Sequence, residues 1–203
     1  MSVVSTRSSK QPFNSGRFQW TVDAFYRATD AGVFDEPKQW ELVDGELWQK
    51  EAMNPPHAEL TESVAERLRT AFLLRFKVRE EKPIHLTPSS EPVSDVSVVV
   101  VRNVGYGISH PIPEDIRLLI EVADASVSRD TGEKALLYAR AGIVEYWVSV
   151  IPARELVVFR NPTPDGYAPM TRLRDGEVIS PLSAPDIEFS VRDLIARAIP
   201  ENV

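Results

Sequence analysis

The chain of 203 residues contains no cysteine. That excludes disulfide frameworks, thiolate nucleophiles and cysteine-based zinc or iron–sulfur sites. Histidine is scarce as well: His57, His85 and His110 are the three present, and no two of them stand at zinc-binding spacing. Long apolar runs are missing. The longest, Val96–Val101 and Ile143–Ile151, are broken by Ser97 and by Glu145 and Ser149, far below the roughly 20 residues of a membrane helix. The N-terminal stretch is rich in serine with no apolar segment behind it, so it does not read as a secretory signal. The expected location is the cytoplasm, without a membrane partner. No glycine-rich phosphate loop, nucleophile elbow or dinucleotide fingerprint is found. Positive charge is in the minority too. The net charge of −7 argues against affinity built on a broadly basic surface, yet a local basic strip could still face phosphate.

What is present fits one domain with a sizeable core. Residues 1–17 are polar and aperiodic and are expected to form a disordered arm, with a single domain over 18–203. Thr21 can cap a short helix reaching about Ala28. Trp40–Asp44 and Glu46–Lys50 read as two strands around an Asp-Gly turn. The periodicity of Leu60, Val64, Leu68 and Phe72 predicts a long helix from about His57 to Phe76, opened by Pro55-Pro56. Strands are expected at Ile84–Thr87, Asp95–Val101 and Arg117–Ala123, with a loop over Arg102–Pro113. A helix from about Asp130 to Ala141, closed by Gly142, precedes a strand pair at Glu145–Val150 and Glu155–Arg160. Weaker strands at Gly166–Leu173 and Val178–Ile179 and a last helix, Val191–Ala198, complete the order. The fold class is α/β: a mixed β-sheet flanked by helices, with one right-handed parallel crossover.

Two strands carry the chemistry. Val96, Val98 and Val100 form an apolar face on one, and Leu118, Ile120 and Val122 do so on the other. Asp95 and Glu121 share the opposite parity. If the two strands are antiparallel neighbours, both carboxylates fall at adjacent strand ends on one face. Such a pair repels unless a cation or proton lies between. Mg²⁺ suits the place, since it takes one or two carboxylates and keeps waters. Lys134, early on the following helix, can point back across the same strand end.

Four segments resemble the Uma-type putative restriction endonucleases, a branch of the PD-(D/E)xK nuclease superfamily. They are Trp40-Glu-Leu-Val-Asp-Gly-Glu-Leu47, Pro56-His57, Ser94-Asp-Val-Ser-Val98, and Ile120-Glu-Val122 with Asp130-Thr-Gly-Glu-Lys134, Tyr138 and Gly142-Ile-Val-Glu-Tyr-Trp147. The resemblance implies a restriction-endonuclease-like core and a metal-dependent endonuclease acting on DNA. It makes Asp95 and Glu121 the carboxylates for Mg²⁺ or Mn²⁺, Lys134 the catalytic lysine and Glu46 the upstream acidic residue. The lysine position two after Glu121 holds Ala123, so the lysine has moved to the helix. The family's proline before the aspartate is Ser94 here, with Pro92 two residues earlier.

Plainer readings stand beside these. Lys134 can be a solvated helix lysine paired with Asp130, and Asp130 with Glu133 fits a capping box. His57 reads better as a helix cap than as a site residue. The strip Arg67, Arg69, Arg75, Lys77, Arg79 and Lys82 fits a solvated helix face as well as a phosphate contact. The alternative functions are a nucleic-acid-binding module without catalysis and a dimeric assembly module. Cutting both strands of a duplex would suit a homodimer.

Overall fold

The computed structural model describes residues 17–50 and 52–195. The expected arm, apart from Arg17, and the end of the expected C-terminal helix lie outside the described residues.

Six strands form one mixed sheet in the order β10-β7-β6-β5-β4-β3. They are β3 (Lys77–Pro83), β4 (Val93–Val99), β5 (Ile116–Ala123), β6 (Glu145–Val150), β7 (Glu155–Arg160) and β10 (Met170–Arg174). Only β5 and β6 run parallel; the other neighbours are antiparallel. Smaller antiparallel pairs are β1 (Trp40–Val43) with β2 (Glu46–Gln49), β8 (Pro162–Thr163) with β9 (Gly166–Tyr167), and β11 (Val178–Ile179) with β12 (Phe189–Ser190). The helices are α1 (Val22–Asp30), α2 (Pro55–Phe72), α3 (Val127–Arg129), α4 (Ala135–Arg140) and α5 (Arg192–Ile195). Among the described residues no helix is long and apolar enough to cross a membrane.

Both faces of the sheet are buried, which is why its central strands are nearly continuous apolar runs. On one face Val96, Val98, Leu118, Ile120, Val122 and Trp147 pack with Leu60, Val64, Leu68 and Phe72 of α2 and with Leu194 and Ile195 of α5. On the other, Val99, Leu119, Ala123, Tyr146 and Val148 pack with Val43 of β1 and with Leu137 and Tyr138 of α4.

Several elements differ from the sequence reading. Helix α2 ends at Phe72, where Leu73 turns to φ 48°, and the chain re-enters the sheet as β3. That strand, Lys-Val-Arg-Glu-Glu-Lys-Pro, shows no apolar alternation because it is an edge, and edges tolerate charge. Ile84–Thr87 is not a strand of the sheet: it is a buried connection held by bonds such as Ile84 N to Pro92 O and Leu86 N to Ser90 O. The crossover helix starts earlier than Asp130. After α3 it passes through a π-helical turn, Asp130–Lys134, before α4. Asp130 therefore lies inside the helix and its side chain accepts from Ser126 Oγ, so no capping box with Glu133 forms. Gly142, at φ 77°, ends α4 in the left-handed region that glycine reaches without strain.

Candidate active site

The register that pairs Val96 with Ile120 across β4 and β5 sets Asp95 opposite Glu121 at the next step. The two carboxylates interlock with the strand ends. Asp95 N–H donates to Glu121 Oε2 at 3.1 Å, and Val122 N–H donates to Asp95 Oδ2 at 2.7 Å. Both side chains line one pocket on the face covered by α4 and the β1–β2 hairpin, with a cavity of about 130 Å³.

Lys134 joins them from the π-helical turn. Its Nζ donates to Glu121 Oε1 at 3.2 Å and to Val93 O at 3.3 Å, and lies 3.5 Å from Glu41 Oε2. At 5 % exposure it is a buried lysine, not a solvated one paired with Asp130. The inserted residue of a π-turn changes which side chains share a face, and turns of this kind recur at functional sites. One helical turn on, Tyr138 donates its hydroxyl to the same Glu121 Oε1 at 2.8 Å.

The electrostatics follow from burial and proximity. Burial works to lower Lys134, but the attraction of Glu121, Glu41, Asp130 and Asp95 outweighs it and holds the ammonium above lysine's usual range. Burial also pushes Glu121 well above the usual carboxylate range. Lys134 opposes that, while the like charges of Asp95 and Asp130 reinforce it. Asp95 is pulled the other way: burial would raise it, but His57, Lys134 and the Val122 N–H bring it below its ordinary value.

Glu46, expected as the third carboxylate, is exposed on β2 and does not line the pocket. The residue that enters from the hairpin is Glu41, 2 % exposed, whose Oε2 accepts Val93 N–H at 3.0 Å. Its signal was the one that marked Glu121, an ionisable group inside an otherwise apolar strand. His57, read as a cap, instead reaches the site, with Nε2 3.2 Å from Asp95 Oδ2; the cap of α2 is Asn54.

The donor set suits a hydrated hard cation. Asp95 and Glu121 stand side by side, and the Asp95 Oδ1 atom takes no part in the bonds just described. Among the described residues no group of three or more His, Asp or Glu side chains is placed to hold a metal ion. Mg²⁺ needs none, since one or two carboxylates and several waters suffice. Six acidic side chains line the pocket against Lys50, Arg129 and Lys134, so its field draws cations and repels phosphate until one is bound.

The basic strip is largely spent within the molecule. Arg67 pairs with Asp193 at 3.2 Å, Arg69 with Glu80, and Arg75 with Asp186 at 2.7 Å. Arg79 is buried, 5.3 Å from the Tyr106 ring centre. His85 and His110, unrelated in sequence, both approach the buried carboxylate of Glu91 in a separate pocket.

Residues 22–192 match the Uma2 family, described as putative restriction endonuclease. Among solved structures, a putative nuclease of the DUF820 group from Anabaena variabilis aligns with a TM-score of 0.68 and 16 % identity, covering 86 % of this chain and 97 % of that one. At that identity the likeness carries the fold. No curated protein matches the chain.

Proposed function

Because the chain belongs to the Uma2 family of putative restriction endonucleases, we propose that it is a metal-dependent nuclease hydrolysing phosphodiester bonds in DNA. The observation that carries the reading is Glu121, a carboxylate buried inside the sheet and bound at once to Lys134, Tyr138 and the Asp95 N–H. A core seldom keeps an ionisable group in this state without a use for it.

On this reading Asp95 and Glu121 would hold Mg²⁺ or Mn²⁺. The bound ion would supply a water nucleophile at neutral pH and offset charge on the phosphate oxygens. Lys134 keeps its proton, so its role is that of a fixed positive charge beside the reacting phosphate rather than of a base. Glu41 takes the upstream acidic role that the resemblance gave to Glu46. It holds the Lys134 ammonium in the pocket and, through Val93 N–H, ties the hairpin to the strand that carries Asp95. Cutting both strands of a duplex would suit two copies of the site related by a two-fold axis, and on that ground the proposal includes a homodimer.

The test is cleavage of plasmid and single-stranded DNA over a Mg²⁺ and Mn²⁺ series. Wild type is expected to cut only with a divalent ion, and Asp95→Asn to cut nothing while remaining folded. Metal-independent cleavage, or cleavage that survives in Asp95→Asn, would remove the basis of the reading. Binding of DNA without cutting under every condition would favour a binding module on the same fold.

A further inference from the structure

The start of α2 is built tightly against the site. Asn54 Oδ1 accepts the His57 N–H at 3.0 Å, and Asn54 Nδ2 donates to Asp124 Oδ2 at 2.6 Å, just past the end of β5. Pro55 and Pro56 occupy the first two helical positions, where their fixed φ stiffens the turn. The result is that the His57 ring, 17 % exposed, has Nε2 3.2 Å from Asp95 Oδ2. An ionised carboxylate only accepts, so Nε2 carries the hydrogen whatever the charge on the ring.

We propose that His57 is a positioning residue of the site, which turns Asp95 so that Oδ1 is the oxygen offered to a cation. The inference rests on the metal reading above. Oδ2 is occupied from two directions, by the His57 ring and by the Val122 N–H. Those two donors, one from the helix start and one from the neighbouring strand, fix the plane of the carboxylate. Glu121 is held at both oxygens, its Oε1 taken by Lys134 and Tyr138 and its Oε2 by the Asp95 N–H. Each carboxylate thus has one oxygen tied to the scaffold by two donors. Outer hydrogen bonds of this kind set a ligand's orientation, and losing one typically costs 10–100-fold in metal affinity.

Calorimetric titration with Mn²⁺ tests this on four proteins: wild type, His57→Ala, His57→Leu and His57→Gln. The first two variants lack a donor, whereas the glutamine amide keeps an N–H near the Nε2 position. Thermal melts without metal establish that each variant is folded. The expected result is affinity lower by about 10–100-fold in the alanine and leucine variants, with the glutamine variant restored to within a few-fold of wild type. Affinity unchanged in a folded donor-less variant would overturn the positioning role and leave the metal reading intact. A folded His57→Gln as weak as the donor-less variants would overturn the donor argument. Wild type that takes up no Mn²⁺ would overturn the metal reading, and this inference with it.

Discussion

Lys134 and Glu121 are costly residues for a core to hold, and their partners explain how it holds them. Taking the ammonium away leaves Glu121 and Glu41 buried with their compensating charge gone. Lys134→Ala is therefore expected to destabilise the fold by about 3–5 kcal/mol, as breaking a buried pair from one side does. A solvated helix lysine would lose under about 1 kcal/mol. Replacing both partners, as in Glu121→Gln with Lys134→Met, should cost less than the sum of the single changes, because the double variant leaves Glu41 but no longer Glu121 without its counter-charge. Urea denaturation of the four proteins measures the coupling. Additive losses would mean that the two side chains do not depend on each other.

Local elements decide how much of this could be read in advance. The β4–β5 pair was legible because both strands alternate cleanly and shared parity brought Asp95 to Glu121. The lysine was legible as a residue but not as a buried one. Its inward aim comes from the π-helical turn Asp130–Lys134, which no apolar period announces. Strand β3 was hidden because an edge strand need not alternate, and its charges imitated the exposed side of the helix before it. Glu41 was missed because Glu46 was taken from the family resemblance, which does not say which glutamate of the hairpin turns inward. His57 was misread because a residue just after two prolines has an obvious structural use. The crossover helix also yields a test. Gly142 ends α4 at φ 77°, and an added Cβ would meet no atom within 4 Å. Gly142→Ala should therefore cost only the backbone strain, about 1–2 kcal/mol. A chemical denaturation midpoint unchanged by the substitution would show that this turn is not held in the left-handed region.

For the molecule as a whole, stability and metal binding should be linked. The pocket gathers six acidic side chains inside a protein of net charge −7, and the folded state alone brings Asp95 to Glu121. A divalent ion that binds only the folded chain stabilises it by about 2.7 kcal/mol at a hundred times its Kd. Thermal melts in millimolar Mg²⁺ or Mn²⁺ should rise for wild type and stay nearly flat for Glu121→Gln. An equal rise in both would mean that the ion acts elsewhere on the acidic surface.

Locating Mn²⁺ by anomalous scattering in crystals soaked with the ion tests the central assignment most directly. The account predicts one strong peak bonded to carboxylate oxygens of both Asp95 and Glu121, lost in Asp95→Asn crystals soaked in the same way. A peak at Glu91, His85 and His110 with none between Asp95 and Glu121 would contradict it.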